Sequence, residues 1–290
     1  MKTRIALLFI LTICASPIWA QNETDVLNMS QYFTGGTARG ISLNGAYGAL
    51  GGDMTSLSTN PAGIGVYRSS EFVFTPSFSI NNATSNYYKN SYEDSKNKLN
   101  ISNMGLVFAY SSNREVGWVG LSLGVAYNRL VDFNRNITMR AQGTNSSFLD
   151  EFVYNANQTG GNIDNLDPYY ERLAYNTFAI DKSINDPKEY ISDFSDFGYG
   201  QNLQQQRIVG IKGGIGEYAF SLGANYSNKL YLGATIGVQR VSYEENKVHE
   251  ETGLPDGSYL ESFRFYEDYY TYGTGYNFKI GAIYRPIAPL

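Results

Sequence analysis

The chain of 290 residues contains little of several residue types on which common protein classes depend. It has one cysteine, Cys14, and one histidine, His249. Charged residues make up 17% of the chain, below the roughly 25% of ordinary soluble domains. The formal net charge of −5 provides no basic surface for a polyanion, so nucleic-acid binding is excluded as a function.

The first twenty residues are typical of a secretory signal peptide. A basic start precedes an apolar run, Ile5–Ala15, and the small residue Ala20, after which we predict cleavage. The run is shorter than the about 20 apolar residues of a membrane-spanning helix. Cys14 follows Ile13 rather than a small residue, which argues against a lipid anchor. If Cys14 is removed with residues 1–20, the mature chain has no thiol for a disulfide or a metal.

After this start the chain has no long apolar run, and its mean hydropathy is −0.31. Two classes of exported protein remain, a soluble periplasmic protein and a membrane β-barrel that alternates its apolar residues. The chain has 25 Tyr, 16 Phe and 30 Gly. Tyr and Phe in this number suit the aromatic girdles of a barrel at the two membrane interfaces, so the composition favours the barrel.

Alternation with a period of two predicts the strands. In Trp118–Asn128, one face holds Val119, Leu121, Leu123, Val125 and Tyr127, whereas the other holds Gly120, Ser122, Gly124, Ala126 and Asn128. The same pattern recurs in Phe72–Ile80, Met104–Tyr110, Tyr218–Tyr226, Leu230–Gln239 and Tyr276–Tyr284. A strand between lipid and a wet lumen has this pattern. A soluble β-sandwich also alternates its residues, so the pattern alone leaves that fold open.

The lengths of the connections favour the barrel. Short links, Ser112–Val116 and Ser227–Lys229, alternate with long polar ones, Asn81–Asn100, residues 141–203 and Asn246–Ser258. Short periplasmic turns and long outer loops are typical of outer-membrane barrels. We therefore predict an all-β protein in which residues 71–290 form an antiparallel transmembrane β-barrel, with the first strand rising from the periplasm.

The longest predicted loop, residues 141–203, contains two stretches with apolar residues at helical spacing. They are Ser146–Gln158 and Asp167–Asp181, and we predict a short helix in each. Two interpretations stay open for this extracellular loop. The helices cover the mouth of the barrel, or they form a surface that faces phage or antibody.

Only about six strands fit into the sequence, whereas bacterial single-chain barrels have at least 8. The last residues, Arg285–Leu290, resemble a periplasmic turn rather than a closing strand with a terminal aromatic residue. We therefore expect the chain to be truncated at the C-terminus and the protein to be a monomer. Closure by several copies is the alternative.

Residues 21–70 precede the first strand and are rich in glycine, which permits tight turns in a confined space. Such a segment suits a hatch, or plug, inside a barrel. It contains Asp53 and the motif Asn60-Pro61-Ala62-Gly63. Asn60 can cap a turn with its side chain, and Pro61 fixes the backbone that follows. The motif either holds the fold of the plug, which we favour, or contacts a ligand directly.

These features of Gly40–Phe78 resemble the outer-membrane long-chain fatty-acid and aromatic-hydrocarbon transporters, the FadL/TodX family, in a Bacteroidetes-type form. The resemblance implies a barrel of about 14 strands, plugged by an N-terminal hatch onto whose motif Asn60, Pro61, Ala62 and Gly63 map. It also implies a sideways opening beside a kinked third strand, here Gly117–Asn128. In that strand Gly120 and Gly124 tolerate a bend.

The sequence offers no site for catalysis, a cofactor or a metal, and we predict that the protein is not an enzyme. His249 lies in an acidic stretch, residues 244–251, which we interpret as a solvated external loop. The expected partners are outer-membrane lipids, lipopolysaccharide and a hydrophobic small molecule. The predicted function is passive transport of that molecule across the Gram-negative outer membrane. The alternative is an adhesin-like surface protein whose barrel carries the loop 141–203.

Overall fold

The computed structural model of the protein describes residues 27, 29–30, 35–44, 46–112, 114–199 and 202–286. The predicted signal peptide, residues 1–20 with Cys14, lies outside the described residues, and so do residues 31–34 of the glycine-rich stretch. Among the described residues, no helix combines the length and the apolarity that crossing a membrane requires.

The chain begins with short helices and continues as a sheet with one long insertion. The N-terminal segment, residues 35–66, contains α1 (Ala38–Ser42), α2 (Tyr47–Leu50), α3 (Ser56–Thr59) and a 3-10 helix (Pro61–Val66). The next elements are β1 (Glu71–Tyr87), β2 (Asn90–Ser111), β3 (Trp118–Asp132) and β4 (Arg135–Gln142). The insertion holds α4 (Phe148–Asn157), a 3-10 helix (Ile163–Asn165), α5 (Glu171–Asn176), β5 (Asp181–Lys182), β6 (Tyr190–Ile191) and α6 (Asp193–Phe197). The last strands are β7 (Gln204–Tyr226), β8 (Leu230–Thr252) and β9 (Ser262–Tyr284).

The main sheet is antiparallel, with the order β1-β2-β3-β7-β8-β9. β4 pairs with the first half of β7 and continues β3 after a break at residues 133–134. All six alternating stretches of the sequence lie in these six long strands, so the predicted antiparallel β class is confirmed. Within the part of the chain that the structure describes, β1 and β9 are the outer strands and are not paired with each other.

Two predicted long loops are wrong, because the strands continue through them. Asn81–Asn100 forms the ends of β1 and β2, which turn at Tyr88 and Lys89, and Tyr88 adopts a positive φ of 51°. β8 likewise continues to Thr252 and leaves only residues 253–261 as a loop. Both stretches are polar because they extend past the apolar part of the sheet, and polarity alone cannot distinguish such a strand from a loop.

The two faces of the sheet differ in what covers them. On the covered face, the N-terminal segment packs against β3, β7, β8 and β9. The open face carries exposed apolar side chains, including one row in which cross-strand neighbours continue through all six strands. That row is Phe72, Leu106, Val125, Phe220, Ile236 and Phe278.

On β3 and β7, aromatic side chains mark both limits of the apolar part of the open face. Near the turn end of the sheet, where Ser227–Lys229 connects β7 and β8, the ring centroids of Trp118 and Tyr226 lie 5.2 Å apart. Toward the far end, which carries the insertion, those of Tyr127 and Tyr218 lie 5.3 Å apart. The span of β7 that includes both rows, Tyr218–Tyr226, is nine residues long. We call the row with Tyr127 and Tyr218, which is nearer the insertion, the outer aromatic row.

One residue of the predicted apolar face, Val119, lies on the opposite face. A register shift between Trp118 and Gly120 places Val119 in a buried position, whereas Leu121 and Leu123 stay exposed as the alternation predicts. The prediction for Val119 is wrong because a β-bulge adds one residue and reverses the side-chain alternation beyond it.

The insertion forms a compact unit, residues 143–203, which we call the loop subdomain. The Gly143 amide donates a hydrogen bond to the Leu203 carbonyl over 2.8 Å and closes its base. α4 and α5 lie within the two stretches predicted to be helical. The subdomain has its own core of buried side chains, namely Leu149, Phe152, Ala156, Leu166, Ala174, Ala179, Ile180, Tyr190, Phe194 and Leu203.

Candidate functional site

The motif Asn60-Pro61-Ala62-Gly63 starts the 3-10 helix that lies closest to the sheet. The Asn60 side chain accepts a hydrogen bond from the Ala62 amide over 3.2 Å, and Pro61 occupies the first turn, where no amide donor is needed. The Asn60 Nδ2 donates to the Gly48 carbonyl over 2.6 Å and to the Ala282 carbonyl on β9 over 3.4 Å. The predicted capping role of Asn60 is confirmed, and the same side chain joins the segment to the sheet.

The 3-10 helix rests on a row of small residues that crosses four strands. In register, the row is Ser122, Gly223, Gly233 and Gly281. A Cβ added at Gly223 would overlap Ile64, one at Gly233 would overlap the Pro61 carbonyl, and one at Gly281 would overlap the Asn60 side chain. The backbone of the motif can lie directly on the sheet because these three positions carry no side chain.

Beside this row, apolar side chains of the segment enter the covered face. Met54, Leu57 and Ile64 are fully buried and pack with Val107, Ala126 and Ala219 of the strands. A Cβ at Gly124 would overlap Ile64 Cδ1. The pairing of β3 is regular at Gly124, whereas Gly120 lies at the register shift after Trp118. The structure thus places a register shift beside Gly120 and a contact with the N-terminal segment at Gly124.

Asp53 organises the other side of the segment and is buried. Its carboxylate accepts hydrogen bonds from Thr37 Oγ1 over 2.7 and 2.8 Å and from the Thr55 amide over 2.8 Å. The preceding Gly51 and Gly52 have positive φ, and the Gly52 amide donates to the Gly63 carbonyl over 2.8 Å. These contacts connect α1, α3 and the 3-10 helix into one folded unit.

A polar belt crosses the covered face next to α3, and the sequence analysis missed it. Asn103 donates to Asn128 over 2.5 Å, and Asn128 donates to Ser58 of α3 over 2.6 Å. On the adjacent β7, the buried Glu217 accepts from Lys279 Nζ over 2.5 Å and from Asn277 over 2.6 Å. The available signal was two charged residues, Glu217 directly before the alternating stretch of β7 and Lys279 inside that of β9.

Beyond the polar belt, β2 separates from β3. Their pairing ends at Asn103 and Asn128, and the far part of β2 instead contacts β4 and β7. Asp94 accepts from the Thr138 amide over 2.6 Å, and Lys96 Nζ donates to the Ile211 carbonyl over 2.7 Å. The backbone pairing of β2 with β3 therefore ends directly beyond the outer aromatic row, and side chains of β1 and β2 bond to β3 and β4 there instead.

His249 is buried on β8, so its assignment to a solvated loop is wrong. Its Nε2 lies 3.0 Å from Glu251 Oε1, and its ring lies 4.7 Å from that of Phe148. Ser147 Oγ also donates to the Glu251 carboxylate, over 2.6 Å. Serine and histidine both bind the carboxylate, whereas a nucleophile needs the histidine beside the serine. This cluster instead caps α4 and anchors the loop subdomain.

No cluster of His, Cys, Asp and Glu suited to a metal ion is found among the described residues. Comparisons of the chain with protein-family models, with curated proteins and with solved structures find no match. The resemblance to the fatty-acid and hydrocarbon transporters therefore stays a prediction that depends on the motif and its position.

Proposed function

We propose that the sheet is part of the wall of an outer-membrane β-barrel and that the protein passes a hydrophobic small molecule across that membrane. The observation that carries this proposal is the open face, where six strands present a continuous row of exposed apolar side chains. Leaving such side chains in water costs roughly 1 kcal/mol or more each, whereas hydrocarbon accepts them. On β7 the span that includes both aromatic rows, Tyr218–Tyr226, is nine residues long and matches the 9–11 residues of a membrane-spanning strand.

In this proposal residues 21–70 form the hatch on the lumen side. Several features support this role. The described part of the segment packs against the covered face, its motif rests on glycines, and buried polar groups join it to the wall. The turn end of the sheet faces the periplasm, and the loop subdomain lies outside the cell. Cargo enters from the far end and leaves when the hatch shifts, or sideways beside the register shift of β3 at Gly120.

Transport is tested with purified protein in liposomes, using a fluorescent long-chain fatty acid and a fluorescent aromatic hydrocarbon as probes. We expect faster uptake than into liposomes without protein. The transport proposal fails if no apolar probe is bound and none enters faster than into empty liposomes.

A disulfide lock tests whether the hatch must move. A Cβ added at Gly281 would lie 3.0 Å from Asn60 Cγ, the position that a cysteine Sγ would occupy. In the double variant Asn60→Cys/Gly281→Cys, oxidation should stop uptake and reduction should restore it. Each single cysteine variant is the control and should not respond to oxidant. Equal uptake by the oxidised and reduced double variant would exclude hatch movement and leave the sideways route.

A second candidate function, an adhesin-like surface protein, is favoured by one observation. The loop subdomain has its own hydrophobic core and is bonded to the strands through Glu251. A loop that only connects two strands does not need such a folded structure. Replacing residues 144–202 with a short glycine-serine linker separates the two functions. A transporter keeps part of its uptake, whereas an adhesin loses attachment of whole cells to host or bacterial surfaces.

A further inference from the structure

Two arginines flank a glycine on the open face, one row beyond the outer aromatic row. Arg129, Gly216 and Arg240 are cross-strand neighbours on β3, β7 and β8. The row before them, toward the turn end, contains Tyr127 and Tyr218. Adjacent strands are about 4.8 Å apart, so the two arginine Cα atoms are separated by roughly 10 Å. The missing side chain at Gly216 leaves a recess between them.

The recess belongs to a cleft of about 320 Å³ lined by residues of β2, β3, β7 and β8. Lys98 lines the same cleft from β2. Gly214 and Gly216 form part of its floor, because a Cβ at Gly214 would lie 2.7 Å from the Arg129 guanidinium and one at Gly216 would lie 2.6 Å from the Tyr127 ring. Glycine at these two positions allows both side chains to lie flat on the sheet.

The positive charge in the cleft exceeds the negative charge around it. Arg129 has one acidic partner, Asp132, at 3.5 Å, and its Nε is buried without a hydrogen-bond partner among the described residues. Arg240 is exposed and makes neither a hydrogen bond nor an ion pair with the part of the chain that the structure describes. Three cations, counting Lys98, thus face one carboxylate.

We propose that Arg129 and Arg240, with Lys98, bind a phosphate group on the headgroup of an outer-leaflet glycolipid. Arginine binds phosphate through paired N–H donors, and guanidiniums on the two sides of a recess can bind the same phosphate. The cleft adjoins the apolar face directly, so the acyl chains of the same lipid lie against that face. This continuity favours a lipid over a free anion. The inference depends on the proposed membrane placement of the sheet.

The experiment measures binding of lipid A by the full-length protein in neutral detergent. The probes are phosphorylated lipid A and the same lipid A after removal of its phosphates. Wild-type protein should bind the phosphorylated form at least about tenfold more tightly, because each guanidinium contributes a charge-assisted contact. Arg240→Gln should weaken that binding about fivefold or more, and Arg129→Gln/Arg240→Gln should abolish the preference for phosphate.

Arg240→Gln is the decisive variant because Arg240 has no partner within the described chain whose loss could affect folding. The matched control is Arg114→Gln, an exposed arginine at the turn end, which should bind like wild type. The inference is overturned if Arg240→Gln binds phosphorylated lipid A as tightly as wild type, or if both forms of lipid A bind equally. Complete displacement by millimolar inorganic phosphate would identify a free-phosphate site and overturn the lipid assignment.

Uptake by the same variants is measured in phosphatidylcholine liposomes and separates the two proposals. Arg240→Gln should keep wild-type uptake, because Arg240 lies beyond the outer aromatic row and makes no hydrogen bond or ion pair with the described part of the hatch. If the wild-type protein binds lipid A but shows no uptake, only the transport proposal fails. If uptake is normal but lipid A binding does not depend on the arginines, only the present inference fails.

Discussion

At the scale of single residues, a few side chains connect parts of the chain that are far apart in sequence. Asn60 begins a helix and also reaches Gly48 and β9. Asp53 joins Thr37 to Thr55, and Glu251 joins β8 to the start of α4. Each of these side chains is an acceptor or donor with several partners, so its loss leaves several polar groups without a bond.

The variant Asp53→Ala tests this at the hatch. We expect this substitution to lower the free energy of local opening of the N-terminal segment by about 1–3 kcal/mol, because Thr37 Oγ1 and the Thr55 amide lose their acceptor. Hydrogen exchange of the amides in residues 46–66 measures the change. The exposed Asp256→Ala is the control. Unchanged exchange in Asp53→Ala would mean that Asp53 does not hold the segment together.

Residue-scale predictions from the sequence succeeded where the cause is local. The capping by Asn60 depends on its own side chain and on Pro61, both readable in the sequence. Val119 and His249 could not be placed in this way. The orientation of Val119 depends on a bulge, and the burial of His249 depends on Phe148 and Phe263, which come from distant parts of the chain.

At the scale of elements, a single substitution tests whether the 3-10 helix must pack closely on the glycine row. Gly233→Ala places a methyl group against the Pro61 carbonyl, so the helix must lift from the sheet. We expect faster hydrogen exchange in residues 60–66 and faster uptake in liposomes. The matched control is Gly273→Ala on β9, where an added Cβ would meet nothing within 4 Å. If the two variants behave alike, the close approach of helix and sheet is not required.

The loop subdomain contains an element contact that depends on pH. Partial burial and the hydrogen bond to Asp150, 2.7 Å long, raise the pKa of Tyr199 from 10.0 to about 12. A raised pKa in the folded state means that this contact contributes its full stability below pH 10 and loses it as the pH rises toward 12. Ultraviolet difference titration of wild type against Tyr199→Phe should show one phenolate forming near pH 12, and Asp150→Asn should lower that midpoint. A midpoint at 10 in wild type would contradict the contact.

Elements could be predicted from the sequence only where they contain apolar residues. The alternation located all six long strands but missed the polar ends of β1 and β2, since Asn, Ser, Thr and Lys there have the composition of a loop. Those ends are extended because they pair with each other and contact β4. The helices of the loop subdomain were predicted because Phe148 and Phe152 in the first stretch, and Tyr170 and Leu173 in the second, are at helical spacing.

At the scale of the whole molecule, a charge on the open face distinguishes lipid from water. Leu222 lies midway between the aromatic rows and is 48% exposed, whereas Tyr270 lies beyond them and is 53% exposed. If lipid covers the face, Leu222→Arg should destabilise the protein by about 2–4 kcal/mol, and Tyr270→Arg should have little effect. Urea unfolding in lipid vesicles measures both. A water-exposed face would make both changes cost within about 0.5 kcal/mol.

The sequence predicts the character of the candidate site better than its details. The position of the motif before the first strand indicated a segment packed on the sheet, and the structure places it against the covered face. The partner glycines Gly223, Gly233 and Gly281 could not be assigned to it, because only the strand register brings them into one row. The cleft between Arg129 and Arg240 depends on register in the same way.

Under the proposed transport function, the length of the strands beyond the outer aromatic row has a consequence for the solubility of the transported molecule. β7 continues for 14 residues from Tyr218 to Gln204, which corresponds to roughly 45 Å of hydrogen-bonded strand. A hydrophobic molecule bound at the loop subdomain would move this distance in contact with the protein. It would therefore never have to dissolve in the hydrated sugar layer at the cell surface, where its concentration is lowest.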